Sequence, residues 1–188
     1  MASVVGGLLW GSDFRPLHRH LGQLSVLPVG TTVLDAACGA GLALEWIDPG
    51  RHHHYVGVDN SPAMLNRARS AAAQRGFNDV VLHVADIESI PLPDGAADVG
   101  LFYNALHCLP HPTAALEEVL RCVAPGGILR GSMLVRGATA RADKLLSLDK
   151  SMGPGGTAVD LERWLHDVGL SEIDVTVAGA LAVFSARG

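Results

Sequence analysis

Four polar side chains close short β-branched runs in this chain, and their spacing gives each a separate task. Asp35 lies in "VLDAACGAGLAL", ahead of a loop of small residues that includes Ala37, Cys38, Gly39 and Gly41. Asp59 closes "HYVGVD", Asp86 closes "DVVLHVAD" and Asn104 closes "ADVGLFYN". A turn with two glycines lets a ligand lie against bare backbone, because no Cβ stands in the way. Asp59 is eighteen residues beyond Gly41, where a carboxylate accepts both hydroxyl protons of a ribose. Asp86 can accept from an exocyclic amine while the backbone N–H of Ile87 donates to a ring nitrogen. Asp35, beside the loop, can hold an ammonium group.

The loop narrows the choice of ligand. A dinucleotide fingerprint needs G-x-G-x-x-G, whose third glycine permits close helix–strand packing beside a pyrophosphate. Here the run is Gly39-Ala40-Gly41-Leu42-Ala43-Leu44, without the third glycine. That disfavours a nicotinamide-dependent oxidoreductase. Ribose, aminated purine and ammonium together describe S-adenosyl-L-methionine. The segment "FYNALHCLPHP", residues 102–112, then emerges where the methyl group of such a cofactor points. His107 is the base candidate there, since imidazole titrates near neutrality. Tyr103 and Asn104 can orient a substrate. The competing roles are packing or substrate shaping for His107 and loop capping for Asn104. Cys108 has no evident base partner and is not read as a nucleophile.

Groups placed this way need parallel strands, because ligands of open α/β sheets bind at the carboxyl ends of the strands, where the strand order reverses. The pattern supplies them. Phe14, Leu17, Leu21, Leu24 and Leu27 recur at helical spacing, which predicts a helix over 13–27 with Asp13 as N-cap. A helix is predicted from about Gly41 to Asp48, and a stronger one starts at Ser61, with Pro62 in its first position. A further helix runs from about Pro112 to Val123 and stops at "APGG", ahead of the strand "GILRGSMLV". Strands alternating with helices mean βαβ units and a sheet covered on both faces. At the end, "SEIDVTV" and "ALAVFSA" are separated by Ala178 and Gly179, a link that only an antiparallel hairpin fits. The fold class is α/β, in one domain.

Bulk properties exclude other classes. Of 188 residues 48% are hydrophobic and 18% charged, as in a compact globular chain. A net charge of −5 with 14 scattered basic residues argues against a nucleic-acid partner. No apolar run approaches the roughly 20 residues needed to span a bilayer, so no membrane partner is expected. "MASVVGGLLWGS" lacks the pattern of a signal peptide. Cys38, Cys108 and Cys122 form no CxxC pair, which fits a reducing cytoplasm without disulfides or zinc. The histidines of "RHHHY", residues 51–55, alternate faces in an extended segment and do not converge on a metal. "FRPLHRHL" reads as the solvated face of the first helix.

With "VLDAACGAG", "VGVDNSPAML", "VADIESIPLPDGAADV" and "EEVLRCVAPGGIL" over about residues 31–135, the chain resembles the class I S-adenosylmethionine-dependent methyltransferases, of the small-molecule type related to ubiquinone and menaquinone biosynthesis. The resemblance implies a Rossmann-like, doubly wound seven-stranded sheet in the order 3-2-1-4-5-7-6, with strand 7 antiparallel. It also implies methionine-moiety contact at Asp35 and the Ala37–Gly41 backbone, and ribose contact at Asp59. Asn60 or Met64 would neighbour the adenine, with Asp86 and Ile87 at its edge. The family often has Gly where this chain has Ala37. Relatives usually carry a longer N-terminal segment, so the cap formed by residues 1–30 is expected to be incomplete, or to be completed by Met1–Phe14 folding over or by a second copy of the chain in a homodimer. Residues 137–156, with Leu145, Leu146, Leu148 and Met152, are the expected lid on the substrate side. The substrate expected is a small, partly hydrophobic molecule. The alternative within the same fold is a non-catalytic protein that binds the cofactor.

Overall fold

The computed structural model describes residues 12–148, 153 and 155–188. Residues 1–11 of the expected cap, and Met152 with the neighbouring part of the expected lid, lie outside the described residues. The elements in chain order are α1 (Arg15–Gly22), β1 (Thr32–Ala36), β2 (His54–Asp59), α2 (Pro62–Arg75), β3 (Val80–Val84), β4 (Ala97–Tyr103), α3 (Pro112–Cys122), β5 (Val123–Leu134), α4 (Ala140–Leu148), α5 (Ala158–Asp167), β6 (Ser171–Ala178) and β7 (Leu181–Arg187). The strands form one seven-stranded sheet, ordered β3-β2-β1-β4-β5-β7-β6. β1 pairs in parallel with both β2 and β4, while β7 runs antiparallel between β5 and β6. Strand order and the direction of β7 are those implied by the resemblance.

Both faces of the sheet are covered, which is why β4 reads as an almost unbroken apolar run. On one face Leu34, Phe102, Leu129 and Phe184 pack against Leu116 and Val119 of α3 and Leu161 and Leu165 of α5. On the other, Val33, Tyr55, Leu101 and Tyr103 pack under Leu17, Leu21 and Leu24. The helix at Ser61 forms as its sequence requires. The Ser61 hydroxyl accepts from the Met64 N–H, and Pro62 fills the first turn, where its missing donor costs nothing.

Four local expectations are corrected. The 13–27 helix is a two-turn α1 followed by a 3₁₀ turn over Gln23–Val26, and its N-cap is Phe14. Asp13 instead accepts from the backbone and side chain of Arg15. No α-helix spans Gly41–Asp48: Leu42–Glu45 and Pro49–Arg51 are separate 3₁₀ turns, because Pro49 ends any continuation. "APGG" does not precede β5 but lies within it, in a bulge where the pairing shifts from Ala97↔Val123 to Val99↔Ile128. The hairpin link is Gly179-Ala180, since Ala178 still pairs with Leu181.

Candidate functional site

In the parallel register Asp35 lies opposite Gly57 of β2 and opposite Leu101 of β4, so the loops after three strands leave the sheet at one level. Between β1 and β4 the strand order reverses. A crevice opens there by topology alone. It is a cavity of about 610 Å³, within the range of small-molecule sites. Among the residues that line it are Ala37, Asp59, Asn60, Asp86, Ile87 and Asn104, six of those picked out from the sequence.

Asp59 organises the entrance. Its Oδ2 accepts from Gly39 N at 2.9 Å and its Oδ1 from Ser61 N at 2.8 Å, so one carboxylate ties the loop after β1 to the start of α2. The loop turns through Ala37 at φ 54°, Gly39 at 55° and Gly41 at 87°. Ala37 thus holds a left-handed conformation that disfavours a Cβ. The Cys38 N–H donates to Val58 O at 3.0 Å and the Gly41 N–H to Cys38 O at 2.9 Å. The Cys38 thiol is buried, and its pKa is pushed up by that burial and by the charges of Asp35 and Asp59, which leaves it a packing group. Met64 lies half-buried in the first turn of α2.

Asp35 is 3% exposed and sits beneath the loop. Tyr55 Oη donates to its Oδ2 at 2.5 Å. Burial pushes the Asp35 carboxyl up to about 7. The Tyr55 hydrogen bond opposes that shift, and the Asp59 charge adds to it. Tyr55 escapes notice in the sequence because it is twenty residues from Asp35. The available signal is Gly57 two residues on: a Cβ there would stand 3.1 Å from Tyr55 Cε1 and 3.0 Å from Cys38 Sγ, so its absence clears the path of the ring.

On the far wall, Asp86 Oδ1 accepts from Glu88 N at 3.0 Å, and Ile87 is 9% exposed. Asn104 has φ 56°, its N–H donates to Ser132 O at 2.8 Å, and its Oδ1 accepts from the Ser132 hydroxyl at 3.1 Å. The other two residues of this segment do not line the cavity. Tyr103 packs on the α1 side of the sheet, its hydroxyl 3.0 Å from His20 Nδ1. His107 is 4% exposed, and its Nδ1 accepts from Leu134 N at 3.3 Å. Glu88, Cys108, Leu109 and Pro110 complete the wall instead. Of the "RHHHY" histidines, His53 is buried while His54 is exposed and bonded to Asp79. Among the described residues no group of three or more His, Cys, Asp or Glu could hold a metal ion.

The model of the methyltransferase domain family matches residues 34–130, half of the chain and the whole of this crevice. The chain belongs to that family. As a methyltransferase domain it is 35% identical to a malonyl-[acyl-carrier protein] O-methyltransferase of Yersinia pestis, over 81% of this chain and 51% of the relative. It is 34% identical to the 2-methyl-6-phytyl-1,4-hydroquinone methyltransferase of Synechocystis, over 82% of this chain and 46% of the relative. An arsenite methyltransferase of Halobacterium salinarum is 27% identical, over 93% of this chain and 46% of its own length. The domain thus spans about half the length of these relatives. Among solved structures, the Haloferax volcanii methyltransferase in complex with the Trm112 activator superposes with a TM-score of 0.77 at 19% identity, over 93% of this chain and 89% of that one. A SAM-dependent methyltransferase from Aquifex aeolicus gives 0.70 at 23%, over 96% and 92%. These two likenesses carry the fold.

The cofactor of the methyltransferase domain is S-adenosyl-L-methionine, and the residues present fit it. Two carboxylates at adjacent strand ends face one cavity, Ile87 walls it, and Ala37 brings the left-handed small-residue loop to its edge. Asp35 is a buried carboxylate with a neutral hydroxyl as donor, a group that an ammonium would complete.

Proposed function

We propose that this chain transfers a methyl group from S-adenosyl-L-methionine to a small-molecule acceptor by in-line displacement. The observation that carries the reading is the convergence of Asp59, Asp86 and Ile87 on one cavity at the switch point of the sheet. When bound, the cofactor supplies a methyl group already activated on a sulfonium, so the protein is asked for positioning and exclusion of water. Asp59 takes the ribose hydroxyls, Asp86 and the Ile87 N–H read the adenine edge beside Asn60 and Met64, and Asp35 with the Ala37–Gly41 backbone holds the methionine end. Asn104 faces the cavity and orients the acceptor. His107 Nδ1 and the Tyr103 hydroxyl, engaged by Leu134 N and His20, support the strands behind the cavity rather than exchange protons.

Cys108, Leu109 and Pro110 make that side apolar, which favours a small, partly hydrophobic acceptor. We assign residues 1–188 to a single methyltransferase domain: 1–30 to the cap, 31–135 to the cofactor-binding core and 137–156 to the lid. Within the lid, Leu146 is buried and Leu148 exposed. A homodimer fits the exposed Val81 and Val84 on the edge strand β3. Three free cysteines fit the cytoplasm. Among the described residues no helix is long and apolar enough to cross a membrane.

Titration calorimetry with S-adenosylhomocysteine, and with NADH as comparison, tests the cofactor. Binding of the first alone is the expected result. A screen of acceptors with labelled methyl groups follows, and hydrolysis of the cofactor with no acceptor methylated would favour a non-catalytic binding protein.

A further inference from the structure

The segment "EEVLRC" belongs to the stretch that matches the family, yet none of its side chains lines the cavity. We propose that Glu118 and Arg121, on α3, are positioning residues that clamp the loop presenting Asp86 and Ile87 to the cofactor. The inference rests on reading the cavity as the cofactor site.

Between β3 and β4 the chain starts with Ala85 N on Asp59 O at 3.3 Å and then makes local turns, Ser89 N to Asp86 O at 3.0 Å and Leu92 N to Ile90 O at 2.8 Å. Past Asp86 its ties run to α3 and its start, beginning with Glu88 Oε1, 3.2 Å from His111 Nδ1. Arg121 donates to Ile90 O at 3.1 Å, to Leu92 O at 2.9 Å and to Asp94 Oδ1 at 2.6 Å. Glu118, one turn earlier on the same face, accepts from Ile90 N at 2.7 Å and receives two bonds from Arg121 at 2.8 Å. Gly95 N closes the set on Arg121 O at 2.9 Å.

An isolated exposed ion pair contributes little to folding. This pair is different, because a planar guanidinium reaches Ile90, Leu92 and Asp94 at once while the carboxylate takes the Ile90 N–H, a geometry that lysine cannot reproduce. Ile90, 4% exposed, is thereby held against α3 just three residues from Ile87. A slip at Ile90 moves the adenine-reading edge.

The test compares S-adenosylhomocysteine with its analogue lacking the purine 6-amino group, on the full chain. Arg121→Met is expected to weaken the first about ten-fold and the analogue far less, so discrimination collapses. Arg121→Lys should not restore it. Asp86→Ala should produce the same collapse, with the double variant no worse than either single one. Amide exchange at Ile90 in the ligand-free chain should accelerate in Glu118→Gln, a variant that keeps the shape of the side chain and carries the test if Arg121→Met fails to fold. Equal weakening of both ligands, additive losses or unchanged exchange at Ile90 would overturn the clamp. A wild-type chain that binds neither ligand would overturn the cofactor reading itself, and the clamp with it.

Discussion

On the half of the cleft we assign to the cofactor, the loops after β1 and β2 are bonded to each other through Asp59 and to β2 through Cys38, so both Asp59 oxygens have fixed partners. On the half we assign to the acceptor, past β4, the wall is Cys108, Leu109 and Pro110, and the side chains with chemical potential turn elsewhere, Tyr103 to His20 and His107 to Leu134. One half is specified by hydrogen bonds of defined geometry, the other by shape. Half of the cleft can therefore stay constant while the other half adapts to a different acceptor.

Asp59→Ala is the strongest way to break that contrast. It removes the carboxylate we assign to the ribose and strands two backbone donors, and S-adenosylhomocysteine affinity is expected to fall about a thousand-fold by calorimetry. Asp35 sharpens the contrast through pH. Its folded-state pKa, about 7, lies above the ordinary 3.8, so the folded chain binds the proton more tightly than the unfolded chain does. That contribution is complete below about 4 and is lost as pH rises to about 7. Asp35→Asn should flatten this part of the stability profile, a difference on the order of 3 kcal/mol by denaturant titration at the two pH values. On the acceptor half, His107→Ala should cost about 2 kcal/mol of stability, by stranding Leu134 N and emptying a buried site, while S-adenosylhomocysteine binding stays within about three-fold of wild type. Equal loss of affinity in the His107 and Asp59 variants would erase the distinction between the halves.

The same division runs through what the residue string discloses. Asp59, Asp86 and Ser61 are legible because strand ends and caps depend on neighbours within a few positions. The Gly41–Asp48 helix misreads because Leu44 and Ile47 are buried by tertiary packing over 3₁₀ turns, a pattern that an α-helix of the same residues would mimic. "APGG" misreads because a bulge and a helix stop call for the same residue types. The partners of Asp35 and Tyr103 lie 20 and 83 residues away in sequence, and no local spacing announces them.

β7 lies between β5 and β6, although it follows both in the chain. During synthesis, β6 therefore emerges with no neighbour to accept it, and β5 waits with one edge open. The last strand works as a keystone: until Leu181–Arg187 clears the ribosome, nascent β5 offers a bare edge to any extended chain nearby. Because β6 and β7 form a two-residue hairpin, both places fill in one microsecond-scale event once the keystone arrives.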